Sequence, residues 1–104
     1  MNTFDNISII KKANLYFDGA VSSRTINFPD GTHKTLGLMN TGSYTFNTAN
    51  KELMEILGGS CEVKLAGEDN WKSYKEGESF YVDANSSFDI KAITPTDYCC
   101  SYLK

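Results

Sequence analysis

The chain has 104 residues, 40% of them hydrophobic and 22% charged, with a formal net charge of −3. That size and composition fit one domain with one hydrophobic core and exclude a disordered chain. The acid excess, with Lys11-Lys12 as the only basic doublet, argues against a protein that grips polymeric nucleic acid; a single nucleoside needs no basic face.

Met1-Asn2-Thr3-Phe4-Asp5 has no basic region leading into an apolar stretch, so no secretory signal is expected. No apolar run approaches the roughly 20 residues that cross a bilayer, and the expectation is a soluble, cytoplasmic protein. Residues 4–12 fit either a short amphipathic helix or an ordered arm. Residues 1–13 are accordingly read as an N-terminal arm or extra segment, ahead of a domain over 14–104. Strand-like runs then follow at 15–17, 21–28 and 35–39, with Asp18-Gly19 as a turn signal between the first two. Between the last two lies Phe28-Pro29-Asp30-Gly31, in which Pro fixes φ and Gly accepts a positive φ, the chemistry of a turn.

Further runs with strand content occupy 43–47, 61–65, 71–74, 79–82, 87–92 and 98–103. Asn40-Thr41-Gly42, Gly58-Gly59, Gly67-Glu68-Asp69-Asn70, Glu76-Gly77 and Asp83-Ala84-Asn85 punctuate them. Residues 50–57 place Leu53, Ile56 and Leu57 at helical spacing, but Gly58-Gly59 stops the pattern after about two turns, which favours a strand. Many short strands with turns every 8–12 residues or so predict an all-β sandwich or barrel.

The side chains with chemistry are few. Adjacent Cys99 and Cys100 cannot bridge each other without strain, and Cys61 paired with either would leave an odd thiol. Neither spaced ligand pair of a zinc site is present. The three cysteines are therefore expected to be reduced packing residues. Strand alternation puts Tyr44 with Phe46 on one face, and likewise Tyr98, Cys100 and Tyr102. Arg24 shares a face with Ser22, Ile26 and Phe28. Gly31-Thr32-His33-Lys34-Thr35 offers a cation, the single His of the chain and hydroxyls beside a glycine.

Two blocks resemble cupin motifs. Glu52-Leu53-Met54-Glu55-Ile56-Leu57-Gly58-Gly59 resembles the glutamate and turn of the first; Gly77, Asp83-Ala84-Asn85 and Phe88 match the spacing of the second. Metal-binding cupins carry two His before that Glu and a third in the second motif. Here the first pair falls within 45–48 and the third position is Phe88, so no metal site is expected. The chain as a whole resembles a narrower family, the single-domain cupin-type pyrimidine/purine nucleoside phosphorylases. The resemblance runs through Tyr16-Phe17-x-Gly19-x-Val21, Thr35-x-Gly37-x-Met39, Gly42-x-Tyr44-Thr45-Phe46-x-Thr48 and Glu52-x-Met54-x-Ile56-x-x-Gly59. It continues through Trp71, Gly77-x-x-Phe80-x-Val82, Ser87-Phe88 and Tyr98-x-Cys100-x-Tyr102-Leu103, covering 14–103.

This resemblance implies a single-domain cupin, an RmlC-like jelly-roll β-barrel. It also implies phosphorolysis of purine and pyrimidine nucleosides (uridine, adenosine, guanosine, inosine, cytidine, thymidine and xanthosine) to free base and (deoxy)ribose 1-phosphate. Inorganic phosphate is the co-substrate, with no metal and no other cofactor. In the cupin motif Glu52 points into the barrel, which makes it the expected catalytic carboxylate. Tyr44, Phe46, Thr48, Ser87, Phe88, Tyr98 and Tyr102 are the expected base and sugar contacts. An anion needs a cation or several N–H donors, and Lys34, His33 or Arg24 would supply it. The expected partners are nucleoside, phosphate and a second copy in a homodimer, with no membrane and no polymeric nucleic acid. The alternative is a non-catalytic small-molecule-binding cupin or a dimeric scaffold.

Overall fold

The computed structural model describes residues 3–103, and they form two antiparallel sheets packed face to face. The larger sheet contains β1 (Ser8–Ile9), β2 (Asn14–Tyr16), β3 (Val21–Asn27), β4 (His33–Met39), β6 (Lys51–Gly58), β9 (Ser79–Val82) and β11 (Thr96–Leu103), in the order β1-β3-β4-β11-β6-β9 with β2 also on β3. The smaller sheet holds β5 (Gly42–Asn47), β7 (Ser60–Leu65), β8 (Lys72–Lys75) and β10 (Ser87–Ala92), in the order β5-β10-β7-β8. Among the described residues no ladder joins the two sheets, so the all-β cupin fold is a jelly-roll sandwich with an open seam rather than a closed barrel. No helix of the described residues is long and apolar enough to cross a membrane.

Alternation explains the strands. In β10, Phe88, Ile90 and Ala92 are buried while Ser87, Asp89 and Lys91 are half-buried, the period of two that a pleated strand imposes. Met54 and Ile56 of β6, Cys61 and Val63 of β7, and Val21 and Met39 of the larger sheet meet them in one core. Of residues 50–57, all but Asn50 fall in a strand, β6, paired to β11 and β9.

The N-terminal segment is extended rather than helical. Ser8 and Ile9 pair with Asn27 and Ile26, and Ile10 N donates to Thr25 O at 2.9 Å. The run expected at 15–17 ends one residue earlier, at Tyr16, because Phe17, Asp18 and Gly19 turn with φ of 52°, 55° and 88°. The Pro29-Asp30-Gly31 turn forms where its chemistry predicts. Asp30 Oδ1 accepts from Thr32 N at 2.9 Å and Thr32 Oγ1 at 2.6 Å, and Gly31 has φ 88°. The strand after it starts at His33 instead of 35, which places His33 and Lys34 on the ladder instead of at a loop tip.

Candidate active site

The inward faces of the two sheets do not fill the space between them completely. Ser23 of β3, Thr35 and Met39 of β4, Glu52 and Met54 of β6, and Tyr98, Cys100 and Tyr102 of β11 line one side of a cavity of about 260 Å³. Phe46 and Asn47 of β5 and Phe88 of β10 line the other, and Tyr16 at the end of β2 joins them. Two different walls result.

The wall of the smaller sheet is aromatic. Phe46 and Phe88 are direct cross-strand partners, and their rings stack with centroids 5.7 Å apart at 27°. Flat molecules suit such a surface, since aromatic stacking tolerates any ring system with a π-face.

The wall of the larger sheet is polar, and register assembles it. Cys100 is opposite Thr35 on β4 and Met54 on β6, while Tyr102 is opposite Glu52. Gly37 is opposite Tyr98, and a Cβ at Gly37 would collide with the Tyr98 phenol and the Ser22 carbonyl. The missing side chain lets Tyr98 lie across β4 into the cavity.

Burial sets the protonation of this wall. It pushes the Glu52 carboxyl above the usual range, against a hydrogen bond from Cys100 that works the other way. Burial and then the Glu52 charge push the Cys100 thiol far up. The Tyr102 phenol is pushed up to about 12, mainly by burial, with a hydrogen bond to Thr35 opposing. Tyr98 is raised further by burial, against a hydrogen bond with Ser23. These are the directions expected when low polarity disfavours a charged form. The phenols and the thiol thus keep their protons at neutral pH and stand ready as donors around a single carboxyl.

The structure gathers Glu52, Phe46, Phe88, Tyr98 and Tyr102 around the cavity. His33 stands beside it, its ring stacked on Tyr102 at 4.9 Å and 29°. Other sequence-derived positions lie elsewhere. Tyr44 is in the core and its hydroxyl donates to Asn40 O at 2.7 Å. Thr48 ties two turns together: its hydroxyl donates to Asp83 O at 2.6 Å and accepts from Ser86 N at 3.0 Å. Ser87 precedes Phe88 on β10 and so takes the opposite face. Lys34 is on the outer face of β4, its Nζ 5.5 Å from the Phe4 ring and 5.8 Å from the Phe28 ring. Exposed Arg24 donates through Nε to Lys11 O at 3.3 Å. Neither cation lines the cavity, and among the described residues no Lys or Arg does.

Tyr16, Ser23, Thr35, Met39, Asn47, Met54 and Cys100 were not singled out by sequence reasoning. Parity offered a signal for some: Cys100 shares a face with Tyr98 and Tyr102, and Thr35 shares one with Gly37 and Met39. All three cysteines are free and buried. Among the described residues, no group of three His, Cys, Asp or Glu side chains is placed to hold a metal ion.

A two-sheet jelly roll with a cavity between its sheets is the cupin-type fold. The fold is shared with an RmlC-like cupin from Shewanella frigidimarina, at TM-score 0.70 and 14% identity over 96% of this chain and 86% of that one. Residues 11–102 match the family model for pyrimidine/purine nucleoside phosphorylase, and the chain belongs to that family. A pyrimidine/purine nucleoside phosphorylase from Syntrophotalea carbinolica is 59% identical over 104 residues, the full length of both chains. One of the same description from Geotalea daltonii is 58% identical over 103 residues, 99% of each. The crystal structure of a protein of unknown function from Acinetobacter sp. ADP1 superposes with TM-score 0.94 at 42% identity, covering 97% of this chain and 98% of that one.

Proposed function

We propose that this protein is a cytoplasmic, metal-independent nucleoside phosphorylase that accepts purine and pyrimidine nucleosides. The observation that carries the reading is the pairing, within one cavity, of the stacked Phe46 and Phe88 rings with a carboxyl amid protonated hydroxyls. The base lies against the rings, where stacking accepts one- and two-ring bases alike because each has a π-face. Phosphate is held by hydroxyl donors of Thr35, Tyr98 and Tyr102, with the imidazole of His33 stacked beside Tyr102.

In the reaction a phosphate oxygen forms a bond to C1′ as the C1′–N bond breaks. The electron pair of that bond stays on the base, which takes a proton from Glu52. The proton of hydrogenphosphate restores Glu52, so the step balances without a metal. A carboxyl raised by burial is suited to this task, and a neighbouring phosphate raises it further.

The test is base release from uridine, adenosine, guanosine, inosine, cytidine, thymidine and xanthosine, with and without phosphate and in the presence of EDTA. Release is expected with phosphate only and unchanged by EDTA; no release from any of the seven overturns the reading. The lack of Lys or Arg among the described residues that line the cavity favours one competitor, a non-catalytic binder. Nucleosides that raise the melting temperature without losing their base would select it.

The protein acts as a homodimer in this proposal, paired through the outer face of the larger sheet. That face exposes Leu38, Leu57 and Tyr81, and a second copy is the partner that point-group symmetry makes commonest.

A further inference from the structure

Tyr16-Phe17-Asp18-Gly19 is a strained segment. Phe17, Asp18 and Gly19 all have left-handed φ, at 52°, 55° and 88°. Gly adopts that conformation freely, but an L side chain with a bulky ring does so at a cost. A Cβ at Gly19 would meet nothing within 4 Å, so this glycine answers a conformational need and not a lack of room. Strain of this kind persists where surrounding structure enforces it, and it clusters at binding and switch regions.

The enforcing contacts are aromatic. The Phe17 ring, still 48% exposed, lies 5.0 Å from Tyr44 and 5.5 Å from Phe46, edge-on to the latter at 88°. One backbone bond closes the turn, from Ala20 N to Phe17 O at 3.0 Å. What the turn fixes is the side chain just before it. Tyr16 stands edge-on to Phe46 at 6.1 Å and 80°, and it lines the cavity while remaining 43% exposed. Tyr16, at the end of β2 in the larger sheet, thus reaches across the cavity to the aromatic wall of the smaller one.

We propose that Tyr16 is a nucleoside-binding residue that closes the aromatic slot over the base, and that Phe17 is the positioning residue that holds it there. The inference rests on the phosphorylase reading for its substrate, but it concerns binding and not the chemical step. A ring at this position serves purines and pyrimidines alike, and its hydroxyl can bond to the polar edge of either. It acts on the nucleoside and leaves phosphate untouched.

The experiment compares wild type with Tyr16→Ala, Tyr16→Phe, Phe17→Gly and Phe17→Tyr. KM is measured for uridine, adenosine and phosphate, and each variant's melting temperature is followed with and without uridine. Tyr16→Ala should raise both nucleoside KM values at least about tenfold, the scale of a lost aromatic contact to a base, with the phosphate KM within about twofold. Tyr16→Phe should keep most of the affinity. Phe17→Gly relaxes the backbone but removes the clamp, and should raise the nucleoside KM while Phe17→Tyr restores it. An unchanged nucleoside KM in Tyr16→Ala overturns the inference, as does an equal rise for phosphate. If Tyr16→Ala does not fold, Tyr16→Leu takes its place, with the same outcomes deciding. If wild type releases no base, the phosphorylase reading fails by itself. Loss of uridine-dependent stabilisation in Tyr16→Ala then still supports the binding role, and its retention, or no stabilisation of wild type, overturns it.

Discussion

Glu52 combines two opposing demands. Its place among Cys100, Tyr102 and Met54 takes it out of water and raises its pKa, yet the fold keeps it there with a thiol hydrogen bond as partial compensation. Because the native state holds this proton more tightly than the unfolded chain, its contribution to stability is fully present below the ordinary carboxyl value of 4.5. It is lost as pH rises through the raised folded value. Glu52→Gln has no such loss. Its melting temperature should therefore gain on that of wild type between acid and neutral pH, which a pair of thermal melts at each pH checks. The same substitution should lower phosphorolysis by about 10²–10⁴-fold, the usual weight of a general acid. In wild type, turnover should decline on the alkaline side of the Glu52 titration, whereas a carboxylate needed in its charged form would give the opposite slope.

At the scale of elements, the cavity depends on how β4 and β11 pair side by side in the larger sheet. Tyr98 reaches the cavity because Gly37, its ladder partner, has no side chain. Gly37→Ala forces either the ring or the Ser22 carbonyl to move. Overpacking of this sort costs about 1–3 kcal/mol. The melting temperature should fall accordingly, and the nucleoside KM should rise because Tyr98 no longer lies where it did. A variant with full stability and unchanged KM would show that the packing at this pair is looser than its geometry indicates. Thr48 illustrates a different role in the same architecture. With its hydroxyl bonded to Asp83 O and Ser86 N, it fastens the turn after β5 to the turn after β9, which keeps Phe46 and Phe88 in register at the cavity wall.

For the whole molecule, size is the constraint. A chain of 104 residues buries only about 60–70% of its unfolded surface, and Leu38, Leu57 and Tyr81 remain exposed on the larger sheet at 46%, 42% and 56%. A homodimer through that face should give a mass in light scattering of twice 11.6 kDa. Leu38→Asp should reduce it to the single-chain value and make the melting temperature independent of protein concentration. A wild-type mass of 11.6 kDa at micromolar concentration would reject the pairing.

Period-two patterning and turn chemistry were enough to read most of the strands, because both are local properties of the chain. Pro29-Asp30-Gly31 and Gly58-Gly59 mark their turns whatever packs around them. Alternation groups Tyr98, Cys100 and Tyr102 on one face, and it groups Arg24 with Ile26. It does not say which face looks inward, and Ile26 shows why: it is 1% exposed yet lies on the face opposite the core residue Val21. The cation assignments depended on that missing fact, and the structure places Arg24 and Lys34 outside the cavity while His33 stays beside it. Tyr16 was legible only as part of a motif. Its contact with Phe46 crosses from one sheet to the other through a left-handed turn that Asp18-Gly19 marks locally, but no local preference places Phe17 in that turn at positive φ. The sequence by itself therefore determined the strands, their punctuation and the absence of a histidine set for a metal. Only the tertiary structure decided which side chains share the cavity, because that depends on two sheets meeting across long separations in the chain.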